Sequence, residues 1–145
     1  MIAINGNAEL LNFIYQNAQM GVDTIDQLIG IAEEDEFQKH LDAQLIEYRE
    51  ILHESKSMLN KNGFDEKGIG GFDKIKTYLM INMQTLTDKS ASHISQMLMI
   101  GSNMGVINAI KNLKKYQHAD KEITGLMERL LQFEENNVQR LKEFL

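Results

Sequence analysis

The side chains best placed to do chemistry are Gln44, Tyr48, Glu134 and Asn137, polar groups that fall on otherwise apolar stripes. Glu134 stands between Leu130 and Leu141. A carboxylate drawn inward there loses its water, and its pKa rises unless a partner compensates. Such a group can keep a proton, accept hydrogen bonds or ligate one cation. Glu47, next to Tyr48, is a second carboxylate that could join it. The candidate metal or small-ligand set is therefore Glu134, Asn137, Gln44, Tyr48 and Glu47. These groups can also simply satisfy one another by hydrogen bonds, as buried polar groups usually do. That reading is preferred here, because a ligand-sized pocket needs several convergent polar groups. Aligning the helices puts Gly21, Met97 and Gly101 near the same level. The two glycines would then make room for Tyr48 or a Met.

Other chemistries find little support. The chain has no Cys, which removes disulfides, thiolate catalysis and Cys-based metal sites. Gly68-Ile69-Gly70-Gly71 precedes a helix but follows no strand, so it lacks the context of a phosphate loop. No Ser/His/Asp arrangement emerges. His93 lies at the edge of a stripe, and His40 and His118 lie near turns. Fifteen basic against twenty-one acidic residues give a net charge of -6. That balance argues against binding nucleic acid, which rests on Lys and Arg meeting phosphate. No apolar run approaches the roughly 20 residues of a membrane span. Met1 to Asn7 lacks a basic region and a long apolar stretch, so no signal peptide is expected and the cytosol is the expected location. The excess of Lys over Arg hints at an AT-rich bacterial source.

These groups must be held by helices. A chain of 145 residues makes one domain and buries roughly 70% of its unfolded surface. It contains no Pro, a residue that costs about 3 kcal/mol inside a helix. Apolar residues recur at helical spacing over about 8–34 (Leu11, Ile14, Ala18, Gly21, Ile25, Leu28, Ala32), with Asn7 as the expected cap. They recur again over about 36–62, where Gly63 provides a stop. Residues 60–71 read as a loop. Helix-compatible sequence then runs from 72 to 115, which would make a rod of about 65 Å, against about 40 Å for each earlier helix. A break near 85–88 resolves this, leaving an extra short helix over about 72–86 and a long one over about 88–115. The last helix spans about 120–145, capped by Asp120. The expected fold is all-α: an up-down four-helix bundle with one long crossover between the second and third long helices.

With that crossover the chain resembles the small ferritin-like four-helix-bundle proteins of bacteria. The resemblance rests on Gln44-Leu45-Ile46-Glu47-Tyr48-Arg49-Glu50, on Ser95 to Gly105 (Ser-Gln-Met-Leu-Met-Ile-Gly-Ser-Asn-Met-Gly), and on Phe133-Glu134-Glu135-Asn136-Asn137-Val138. It implies a test. Metal-loaded members carry an inward Glu on each of two helices and Glu-x-x-His on the other two. Glu50-Ile51-Leu52-His53 has that spacing, but the wheel puts Glu50 and His53 opposite Leu41, Leu45, Tyr48 and Leu52. Glu134 and Asn137 face inward, but Asn stands where His should, and Asn is a poor ligand for iron or manganese. The di-metal site is therefore expected to be degraded, with no cofactor; iron or manganese at Glu134 is the alternative. The function expected is a non-catalytic structural or interaction protein that self-associates, most simply as a dimer. Apolar residues off the main stripes (Leu10, Val22, Ile46, Met99, Val106, Ile107, Ile110) would serve that contact. Met80, Met83, Met97, Met99 and Met104 are read as flexible core filling. Lys111, Lys114 and Lys115 complement a helix C-terminus, and Glu33–Glu36 form a solvated acidic run.

Overall fold

Long proline-free stretches with a 3.6-residue apolar period should fold as helices and stop where small or capping residues intervene. The structure is a computed structural model that describes residues 5–65 and 72–145. Among these it contains α1 (Asn7–Ile29), α2 (Asp35–Lys61), α3 (Asp73–Gln84), α4 (Ala91–Lys115) and α5 (Lys121–Leu141), then a 3-10 turn over Lys142–Phe144. The described residues include no strand, so the protein is all-α. The expected loop over 60–71 and the start at Met1 to Ile4 lie partly or wholly outside the described residues.

Helix ends differ from expectation for local reasons. α1 stops at Ile29, before Gly30, and the backbone amides of Ile31 and Ala32 both donate to the Leu28 carbonyl. Ala32 still packs into the core beyond the helix end, which is why its apolar period continues past it. Asn7 is not the cap. Gly6 holds that position at φ 84°, against the Tyr116 ring. The Asn7 side chain instead accepts a hydrogen bond from the Asp120 backbone amide at 2.9 Å. α4 starts at Ala91 rather than Asp88: Asp88 accepts from the Ser90 amide at 2.9 Å, and Ser90 caps the helix by accepting from the His93 amide at 3.2 Å. Asp120 does precede α5, without a side-chain capping bond.

The short connections over 30–34 and 116–120 make α1 antiparallel to α2 and α4 antiparallel to α5. The Asn7–Asp120 bond sets the start of α1 beside the start of α5. Tyr48 meets Glu134, and His40 meets Phe144, so α2 runs against α5. Along one axis the long helices therefore run up, down, down, up, and the segment holding α3 returns the chain between α2 and α4. α3 packs on α4, with Ile75 and Leu79 buried. Phe72 sits against Phe13 with ring centroids 4.8 Å apart.

α1 touches α2, α4 and α5. A helix with three neighbours buries a wide stripe, and Leu10, expected to be free for a partner, is fully buried with Leu11 and Ile14. Gly101 is filled by Leu79 from α3, not by Tyr48 or a Met: a Cβ there would meet Leu79 Cδ2 at 3.2 Å. No helix among the described residues is long and apolar enough to cross a membrane.

Candidate functional site

Four helices each contribute to one buried polar layer. Tyr48 comes from α2, Glu134 and Asn137 from α5, Asn17 from α1 and Ser102 from α4. Tyr48 fits only because α1 has no side chain at Gly21: a Cβ there would stand 2.6 Å from Tyr48 Cδ1. The ring is held edge-on by Phe133, centroids 4.8 Å apart. This fixes the phenol so that its hydroxyl donates to Glu134 Oε1. Asn17 and Ser102 add side-chain hydrogen bonds to the same carboxyl. Asn17 itself lies against α4 where Gly105 leaves space, its Oδ1 3.0 Å from where a Cβ would stand.

Burial dominates the electrostatics. Loss of water raises Glu134, the hydrogen bonds from Tyr48, Ser102 and Asn17 pull it only partly back, and the balance leaves it at about 7. The Tyr48 phenol is raised well above its ordinary value, first by burial and then by the Glu134 charge. A cavity of about 30 Å³ adjoins the pair, large enough for about one water molecule. Among the described residues, Asn137 Nδ2 and Ser95 Oγ are buried side-chain atoms with no hydrogen-bond partner.

The residues singled out by spacing separate into three places. Tyr48, Glu134 and Asn137 share the layer, and Gln44 borders its cavity. Gln44 does not bond Glu134 or Asn137 as expected; its amide donates to His40 Nε2 at 2.8 Å. His40, expected near a turn, is buried and stacks on Phe144 at 5.6 Å. Burial lowers its pKa, with Arg140 acting the same way and Glu143 against. Glu47 points out of the layer to Arg129 of α5, at 2.8 Å. Glu50 and Glu54 reach the same guanidinium at 3.3 and 2.8 Å. Glu50 and His53 are exposed.

Asn17, Ser102, His40 and Arg129 were not singled out from the sequence. Asn17 could have been, since it sits between Ile14 and Gly21 on the α1 stripe. The buried set fits a di-metal centre poorly: it offers one carboxylate, a phenol, two amides and a hydroxyl. Among the described residues no three His, Cys, Asp or Glu side chains converge where they could hold a metal ion. Comparison with known proteins supplies no relative, since no family model, no curated protein and no solved structure matches the chain.

Proposed function

We propose that this is a cytosolic, non-catalytic protein built as a ferritin-like four-helix bundle, which associates with a second copy of itself through the outer face of α4. The up, down, down, up helix order and the intervening α3 support the bundle reading. The observation that carries the association is the row Ile100, Ile107 and Ile110, exposed by 40%, 53% and 37%. Met99, Met104 and Val106 flank it, half-buried. Isolated exposed apolar residues are ordinary, but three on one face of a helix, with the exposed Asn103 between Ile100 and Ile107, offer a contact surface. Charge favours a two-fold pairing. Lys111, Lys114 and Lys115 lie at the end of α4, and the exposed acidic run Glu33–Glu36 lies at the α1–α2 turn beside its start. Antiparallel apposition of two α4 helices sets each basic end toward the partner's acidic turn, as an isologous interface allows. Sedimentation velocity should find a species of twice the 16.6 kDa chain mass. Ile107→Glu should convert it to monomer with its helical circular dichroism intact. A monomeric parent chain at millimolar concentration would refute the reading.

A second reading places a metal ion or small ligand on Glu134, Asn137, Gln44 and Tyr48. The small cavity lined by Gln44, Tyr48 and Glu134 favours it. Stoichiometric iron or manganese in the purified protein, lost in Glu134→Ala, would establish it.

A further inference from the structure

Asn-Gly occurs twice in the sequence, at Asn5-Gly6 and at Asn62-Gly63. The pair carries its own reaction. The glycine amide nitrogen, once deprotonated, attacks the asparagine side-chain carbon Cγ, the bond from Cγ to Nδ2 breaks, and ammonia leaves. The cyclic imide that forms adds one water and opens at either carbonyl, to aspartate or to isoaspartate. Glycine suits the step because no Cβ shields its nitrogen. As dipeptides the two sites are equal, and the fold decides between them. Asn62 is held against the reaction. It caps the end of α2, and three hydrogen bonds fix its turn. The Gly63 amide, which would be the nucleophile, donates to the Asn60 carbonyl at 3.1 Å. The Phe64 amide reaches back to the Leu59 carbonyl at 2.9 Å, with Gly63 at φ 82°. Asn62 Nδ2 donates to the Met58 carbonyl at 2.7 Å, which ties the side chain onto the last turn of α2. Bringing Cγ onto the Gly63 nitrogen requires rotation about the Asn62 Cα–C bond and gives up all three.

Asn5 is held the other way round. It is exposed and stands before Gly6, the cap of α1. Among the described residues no acceptor takes up the Gly6 amide hydrogen. The Asn5 side chain makes one bond, and its sense is opposite to that at Asn62: Oδ1 accepts from the Asn7 amide at 3.0 Å. That bond folds the side chain over the Gly6 peptide. It also draws electrons from the carbonyl that is to be attacked, as a donor aimed at a developing oxyanion does. The helix ends act in the same sense. Negative charge on the glycine nitrogen and on Oδ1 is favoured at the start of α1 and disfavoured at the end of α2. We propose that Asn5 is a site of spontaneous deamidation in the folded protein and that Asn62 is protected by its turn. The product sets a carboxylate, or an isoaspartyl residue with one extra backbone carbon, directly before α1.

The test is incubation of the full chain at mildly alkaline pH, followed by peptide mapping with mass spectrometry at both sites. Methyl transfer from S-adenosylmethionine by an isoaspartyl methyltransferase reads the isoaspartate separately. Asn5 should convert about thirtyfold faster than Asn62, the factor that two additional hydrogen bonds at Asn62 supply. In concentrated urea the same chain should convert both sites at similar rates, because the preference belongs to the fold. Asn5→Gln should remove the fast phase of ammonia release and leave the slow one. Absence of conversion at Asn5 in the folded chain, equal rates at the two sites, a preference for Asn62, or a preference for Asn5 that persists in urea would each overturn the proposal.

Discussion

α2 meets α5 twice, once inside the protein and once at its surface, through neighbouring residues of α2. Inside, Tyr48 bonds Glu134. Outside, Glu47, Glu50 and Glu54 share Arg129. One step along a helix turns the side chain by about 100°, and that rotation separates the two chemistries. The inner contact holds a single acid, and burial favours its neutral form. The outer contact holds three acids and one guanidinium in water, where an ion pair contributes little and is screened by salt. Carboxylates are thus abundant on this face of α2 but are spent on the surface, leaving the buried layer a hydrogen-bonded joint with one acid.

The largest effect is expected from Glu134→Gln, which keeps the acceptor for Tyr48 and removes the titration. Below about pH 4.5 the acid is protonated folded and unfolded, so it carries no penalty. As pH rises toward 7 the unfolded chain ionises first, and stability is lost until the folded pKa of about 7 is passed. The Gln variant should therefore match the parent at pH 4 and exceed it by about 3 kcal/mol at pH 8 in urea unfolding. An equal advantage at both pH values would contradict the assignment. Next, Gly21→Ala drives a methyl into the Tyr48 ring and should cost about 2 kcal/mol, outweighing the roughly 1 kcal/mol gained in helix propensity. Chemical denaturation measures it. On the outer side, Arg129→Ala should cost about 1 kcal/mol, a loss that shrinks in 1 M salt, read as the shift in thermal midpoint at two ionic strengths. Smallest is Gly125→Ala on exposed α5, where a Cβ meets nothing within 4 Å; it should stabilise by about 0.8 kcal/mol. The opposite signs at Gly21 and Gly125 separate the inner face from the outer.

Periodicity made Tyr48, Glu134 and Asn137 legible, because residues three or four apart must share a helix face. The same rule reached Asn17, which a search for inward acids passes over. It could not reach Arg129, since three acids on α2 say nothing about a cation 75 to 82 residues away. Nor could it place His40. Nearness to a turn suggests exposure, but the C-terminal Phe144 folds back over the ring. Apolar spacing also overran α1, because Ala32 reaches the core from the turn. Leu79 on Gly101 was hidden for a like reason: only the packing of α3 on α4 decides which side chain fills that space.

We propose that Glu134 is a buried acid held by protein groups alone. Carboxyl ¹³C NMR titration of glutamate-labelled protein, with Glu134→Gln assigning the resonance, reads it directly. The account predicts a midpoint near 7 that added Mn²⁺ leaves in place. A midpoint near the ordinary 4.5, or selective bleaching of that resonance by stoichiometric Mn²⁺, would contradict it.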